Sequence, residues 1–230
     1  MTAETEAVIF DLDGVLVESE QVWAEAKREV TRELGGTWTE AAVQDMLGMS
    51  SYEWSRYMSE QLGIALDPAA ISQRVVADVE ARYRAKLPVI EQADQAVHRL
   101  AARWQLGLAS SSNREVIELV LSLTGWSKQF AVTVSSDEVA RGKPAPDVYL
   151  EAARRLRATP ALCVAVEDSG AGIRSSKAAG MCTIAIPNRA FPPDPEILSQ
   201  AEVVLGSISE LDAEAVARAR AAAAEPREAR

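Results

Sequence analysis

Cysteine and histidine are almost missing. The 230 residues contain two cysteines and one histidine. Cys163 and Cys182 each sit inside an apolar run rather than in a spaced pair, which argues against a thiolate metal site and suits free core thiols in a reducing cytoplasm. His98 lies on the helical stretch EQADQAVHRLAARW, far in sequence from every motif below, so acid–base work must fall to other side chains. No apolar window approaches the ~18 residues of a membrane span, and the opening MTAETEAVIF has no basic start followed by a long apolar stretch. A cytoplasmic chain that does not engage a membrane is the expectation. Positive charge is also short, with 24 Lys and Arg against 34 Asp and Glu, a net charge of -10. That excludes a broad basic surface for nucleic acid or anionic lipid. A phosphate ester is itself an anion, so an acidic protein handling one needs a metal ion or a few locally placed cations and backbone N–H groups.

What remains is an ordinary globular composition, 48% apolar and 25% charged, long enough for a large α/β domain and a smaller insertion. Short apolar runs at 7–10, 105–110, 131–136, 162–168, 182–187 and 203–207 read as strands. Helical spacing over 114–124, 146–157 and 170–179 alternates with them, as in a doubly wound parallel sheet. Residues 18–87 carry helical patterns only, at 20–34, 40–47, 52–62 and 68–87. The expected fold class is therefore α/β, a Rossmann-like parallel sheet core of residues 1–17 and 88–230 with an inserted α-helical cap at 18–87. The tail from Leu211 reads as helix that frays toward Arg230. Expected assembly is a monomer or small homo-oligomer.

Four segments carry chemistry. The first strand ends in VIFDLDGV, which puts Asp11 and Asp13 two residues apart on one face of a strand end. Two carboxylates there repel, and a divalent cation or a shared proton relieves them; an Asp-rich turn gives the same letters. LCVAVEDSGAGI repeats the pattern with Glu167 and Asp168. If its strand neighbours the first, Asp11, Asp168 and Glu167 surround one oxygen-preferring ion, with magnesium the natural choice; a helix N-cap is the competing reading. GLASSSNREV ends a strand in hydroxyls and then opens a helix, which suits a phosphate or, again, an N-cap. In ARGKPAPDVY, Lys143 precedes two prolines and can neutralise phosphoryl charge, with Arg141 as a less favoured substitute.

In this order, DLDGV (11–15), ASSSN (109–113), GKPAPD (142–147) and VEDSGAG (166–172) closely resemble the haloacid dehalogenase superfamily. The resemblance is to the branch with an α-helical cap that includes β-phosphoglucomutase and many sugar phosphatases, and it spans nearly the whole chain. It implies a magnesium-dependent phosphatase acting on a small phosphorylated metabolite. Asp11 would be the nucleophile forming an aspartyl-phosphate, and Asp13 the acid and then the base. Ser110 and the backbone N–H groups around Leu12 and Ser111 would hold the phosphoryl oxygens, and Lys143 would bridge phosphate and Asp11. Asp11, Asp168, Glu167 and the main-chain carbonyl of Asp13 would hold magnesium. Asp13 also sets the chain apart from the superfamily's dehalogenases, which lack the second aspartate. Where the mutase has a His twelve residues after its nucleophile this chain has Trp23, and Leu47 and Ser51 replace the mutase's Lys and Arg, so hydrolysis is favoured over a β-phosphoglucomutase-like transfer. A catalytically silent binding protein of the same fold is disfavoured by the complete acidic set.

Candidate substrate contacts are Asn113 of the core, and Glu20 and Trp23 of the cap. Trp23, Trp38 and Trp54 form a concentration of tryptophan there that would either wall the substrate or fill the cap core. Arg189 and Phe191, in a loop after a strand, belong to the expected rim.

Overall fold

A computed structural model of the protein describes residues 4–46, 49–188 and 191–224. Leu47, Arg189 and the end of the C-terminal tail lie outside the described residues. The core is a six-stranded, all-parallel sheet in the order β3-β2-β1-β4-β5-β6. Its strands are β1 (Ala7–Phe10), β2 (Gln105–Ser110), β3 (Phe130–Ser135), β4 (Cys163–Glu167), β5 (Cys182–Ala185) and β6 (Val203–Val204). Continuous apolar runs make these strands because both faces of a parallel sheet are covered by helices. All four residues of β1 are fully buried. The run 203–207 shrinks to the two residues of β6 because this edge strand pairs on one side only, with β5. In the run 182–187, regular pairing stops at Ala185. Ile186 N–H still donates to the Glu167 carbonyl, and Pro187 has no donor to continue.

Ten helices are described. Those of the insert are α1 (Glu20–Glu33), α2 (Ala41–Asp45), α3 (Ser51–Glu60) and α4 (Pro68–Ala85). The others are α5 (Ala93–Ala101), α6 (Arg114–Thr124), α7 (Asp147–Leu156), α8 (Gly170–Ala178), α9 (Pro195–Leu198) and α10 (Ala213–Ala224). Local letters set several ends. Asp67 accepts from Ala69 N–H with Pro68 at the first helical position, Ser50 and Glu53 form a capping box, and Gly125 closes α6 in the left-handed region. Among the described residues, helices are the only regular elements between Glu20 and Ala85, and the chain leaves and re-enters the sheet side by side. Val17 bridges Val89, and Glu18 N–H donates to the Pro88 carbonyl.

The topology selects one place for chemistry. From β1 the chain moves outward through β2 to β3, then returns to β4 on the other flank and continues through β5 to β6. The order reverses between β1 and β4, which opens a crevice at their C-terminal ends. Phe10 pairs with Val166, so Asp11 and Glu167, one step further on each strand, come to that crevice together. Cys163 and Cys182 are free and buried in β4 and β5. No helix among the described residues is long and apolar enough to cross a membrane.

Candidate active site

Asp11, Glu167 and Asp168 are buried, and each offers a carboxylate oxygen within 4.8 Å of the others. Lys143 reaches in from the loop before α7, with Nζ 2.9 Å from Asp11 Oδ1 and 2.6 Å from Glu167 Oε1. Asp11 Oδ1 also accepts from the Leu12 N–H at 2.8 Å. Tyr149 donates its hydroxyl to Glu167 Oε1 at 2.7 Å, while Glu167 Oε2 accepts from the Asp168 and Ser169 N–H groups and from Ser169 Oγ. Glu167 thus holds Lys143 in place from beneath.

Two glycines make room for these acids. Gly14, at φ +79°, passes so close that a β-carbon there would lie 1.9 Å from Asp168 Oδ2, and a β-carbon on Gly172 would fall 1.9 Å from both Glu167 oxygens. The DLDG and EDSGAG patterns therefore place a carboxylate and the gap it needs in one stroke.

Burial pushes the Asp11 carboxyl up to about 8; Lys143 opposes this, while the neighbouring Glu167 and Asp13 add to it. Burial likewise holds Asp168 well above the carboxylate range, with Asp11 and Glu167 contributing. Three crowded, buried acids beside one lysine form a donor set of oxygens that a hard divalent cation satisfies.

Asp13 stands apart from this cluster. Its Oδ2 accepts from Ser112 Oγ at 2.7 Å and Ser110 Oγ at 3.2 Å, and its Oδ1 is buried with no hydrogen-bond partner among the described residues. The serine run therefore splits. Ser110 is fully buried beneath the site and also accepts from the Ser112 N–H. Ser112 clamps Asp13, and Ser111 alone faces both cavities described next. Asn113 faces neither. Its amide donates to Asp137 and its carbonyl oxygen accepts from Ser51 Oγ at 2.8 Å, a link from the sheet to the insert.

Two cavities meet over Asp13, Glu20 and Ser111. One, of about 260 Å³, holds Asp11, Lys143, Asp168, Arg174, Asn188 and Phe191. The other, of about 130 Å³, is lined by Trp23, Trp38, Trp54, Met46 and Met49 of the insert, together with Lys27. All three insert tryptophans reach this wall, Trp54 buried at 3% exposure and Trp23 and Trp38 half-buried. Glu20 accepts from the Asn188 amide. Its carboxyl is raised chiefly by burial, with the Asp13 charge adding. His98 is exposed on α5, bonded to the Asp94 carbonyl and away from both cavities.

Among the residues of the site not singled out from the sequence are Ser112, Lys27, Tyr149, Asn188 and Arg174. Ser112 had a signal, since it shares a side with Ser110 two residues earlier. Lys27 had none, since a lysine four residues after Trp23 on α1 reads as an ordinary solvated helix residue. Tyr149 and Asn188 had none beyond proximity to a motif.

The family model of haloacid dehalogenase-like hydrolases matches residues 5–180. The chain is 32% identical over 210 residues to hexitol phosphatase B of Escherichia coli K12, covering 90% of this chain and 94% of that one. It is 31% identical over 206 residues, 89% of this chain, to a bifunctional riboflavin kinase/FMN phosphatase of Arabidopsis thaliana, of whose length it spans 54%. The crystal structure of CbbY from Rhodobacter sphaeroides in complex with phosphate superposes with a TM-score of 0.81 at 27% identity, over 90% of this chain and 96% of that one. With the reversal point of its sheet carrying the four motifs, the chain belongs to the haloacid dehalogenase-like hydrolases, in their phosphatase branch with a helical insert.

Proposed function

We propose that the protein hydrolyses a small phosphate monoester, of the sugar phosphate class, through a phosphorylated Asp11. The observation that carries this reading is the pairing of a nucleophile and a proton carrier on one strand end. Asp11 has Oδ1 occupied by the Leu12 N–H and Lys143, leaving Oδ2 to attack. Asp13 has Oδ2 clamped by two serines, while Oδ1 is buried and has no hydrogen-bond partner among the described residues, so its bonding capacity is unspent. In the first half-reaction a bond forms from Asp11 Oδ2 to phosphorus and the ester P–O bond breaks, with the proton for the leaving alcohol coming from Asp13 Oδ1. In the second, water attacks phosphorus, its proton passes to Asp13, and the Asp11–phosphorus bond breaks to release phosphate.

Lys143 offsets phosphoryl charge, and Glu167 with Tyr149 fixes the lysine. The Ser111 backbone N–H is a further donor for the phosphoryl oxygens. Magnesium fits the acidic set; Asp11, Asp168 and Glu167, with the Asp13 main-chain carbonyl, would hold it, and when bound it supplies the charge neutralisation that lets one anion approach another. The helical insert of residues 18–87 serves as a cap that excludes bulk water and supplies the surface meeting the alcohol.

The test is phosphate release from a panel of phosphorylated metabolites, with and without magnesium, by the native protein and Asp11→Asn. Metal-dependent release that Asp11→Asn abolishes is expected. Conversion of β-glucose 1-phosphate to glucose 6-phosphate without net phosphate release would replace hydrolysis with a mutase reaction.

A further inference from the structure

Lys27 has no role in the chemistry above, yet it is a buried charge beside the proposed reacting groups. It lies in the middle of α1, 8% exposed, and lines the smaller cavity beside Asp13. Its Nζ sits 5.7 Å from the Trp23 ring centroid and 5.0 Å from that of Trp54. Those two indoles stand 6.0 Å apart at 60°. No carboxylate pairs with it within 4.0 Å and no hydrogen bond from its ammonium is formed among the described residues. A buried ammonium without a partner is costly, and two indole faces recover only part of the loss. Burial accordingly lowers the Lys27 ammonium to about 8, against a pull upward from Asp13.

A side chain held at such a cost, in the cavity where the alcohol part of a substrate must lie, points to a ligand that completes it. We propose that Lys27 selects phosphate esters whose alcohol carries a carboxylate, receiving that carboxylate at its ammonium in the cavity walled by Trp23 and Trp54. This rests on the phosphatase reading and names the substrate class within it.

Three observations favour a carboxylate over other partners. The rest of the described lining offers no second cation, which fits a single negative charge rather than a second phosphate. The carbon chain of a small hydroxy acid suits a cavity of about 130 Å³ walled by indoles and methionines. On the sheet side, Asp13 and Glu20 repel a carboxylate, so Lys27 is the one end of the cavity that attracts it. A neutral polyol would leave the ammonium without its counter-charge.

The experiment compares kcat/KM for 3-phosphoglycerate and 6-phosphogluconate with that for glycerol 3-phosphate, sorbitol 6-phosphate and fructose 1,6-bisphosphate. The native protein should favour the carboxylate esters by tenfold or more. Lys27→Met, which keeps the stem between the indoles, should cut that preference at least tenfold, and Lys27→Arg should restore part of it. Lys27→Met should also raise the melting temperature, since it removes an unpaired buried charge; this separates lost recognition from lost folding. Preference for the neutral or bisphosphate esters, or an equal loss on all esters in Lys27→Met, would overturn the assignment. If no ester turns over, the phosphatase reading fails by itself. Calorimetric titration of the same esters into Asp11→Asn then decides, with tighter binding of 3-phosphoglycerate than glycerol 3-phosphate, lost in Asp11→Asn/Lys27→Met, supporting Lys27 and no such difference refuting it.

Discussion

At the scale of the residue, the proposed chemistry asks Asp13 to work through Oδ1, since Ser112 and Ser110 hold Oδ2. A hydrogen bond to a charged group contributes about 1.5–3 kcal/mol, so Ser112→Ala should lower kcat by roughly ten- to a hundredfold while KM moves little, as steady-state kinetics would show. Lys27 gives a second, pH-dependent test. Its ordinary value of 10.5 is lowered to about 8 in the fold, so between those values the unfolded chain binds the proton and the folded chain does not. Stability from this group therefore rises with pH across that window, and its cost is present in full below about 8. Lys27→Met should be more stable than the native protein by up to about 3 kcal/mol at pH 7, and the difference should vanish toward pH 10.5 in denaturant titrations.

These two residues also mark where letters stop speaking. Asp11, Asp13, Glu167 and Asp168 announce themselves because acidic pairs at apolar strand ends are improbable without a task. A lysine in an amphipathic helix reads as a solvated one, and only the packing of Trp54, on a different helix, shows that it is enclosed. Ser110, Ser111 and Ser112 are one cluster in sequence; the turn between β2 and α6 aims the hydroxyls of Ser110 and Ser112 at Asp13 and leaves Ser111 facing both cavities.

At the scale of the element, strand ends and helix starts are built together. Ser169 caps α8 by accepting from the Gly172 N–H, and the glycine leaves its β-carbon space to the Glu167 carboxylate. Glu167 is fully buried, so Gly172→Ala forces either the helix start or the carboxylate to move. Overpacking of this kind costs about 1–3 kcal/mol, a fall of about 2–10 °C in melting temperature for a chain of this size. Because the displaced carboxylate also holds Lys143, phosphate release should fall by more than the thermal shift alone explains. The alternation of strands and helices was legible from period and punctuation. The bounds of β5 and β6 depend instead on which neighbour each strand finds, information that lies elsewhere in the chain.

At the scale of the whole molecule, the reversal of strand order places an acidic cluster in the middle of the structure, and the chain folds around that repulsion. Asp11 and Asp168 are both held well above the carboxylate range, mainly by burial, so the acidic site is an internal load that a bound divalent cation would relieve. A ligand that binds only the folded state stabilises it by about 2.7 kcal/mol at a hundredfold excess over its dissociation constant. Magnesium should therefore raise the melting temperature by about 5–10 °C. Asp168→Asn separates load from ligand. It deletes a buried acid, so the apo variant should melt above the native apo protein, and it deletes a donor, so its shift with magnesium should largely disappear. Thermal scans of both proteins in chelator and in magnesium test this directly. An equal magnesium shift in the two would mean that Asp168 is crowded for some purpose other than holding the ion, and that Asp11 and Glu167 suffice to bind it.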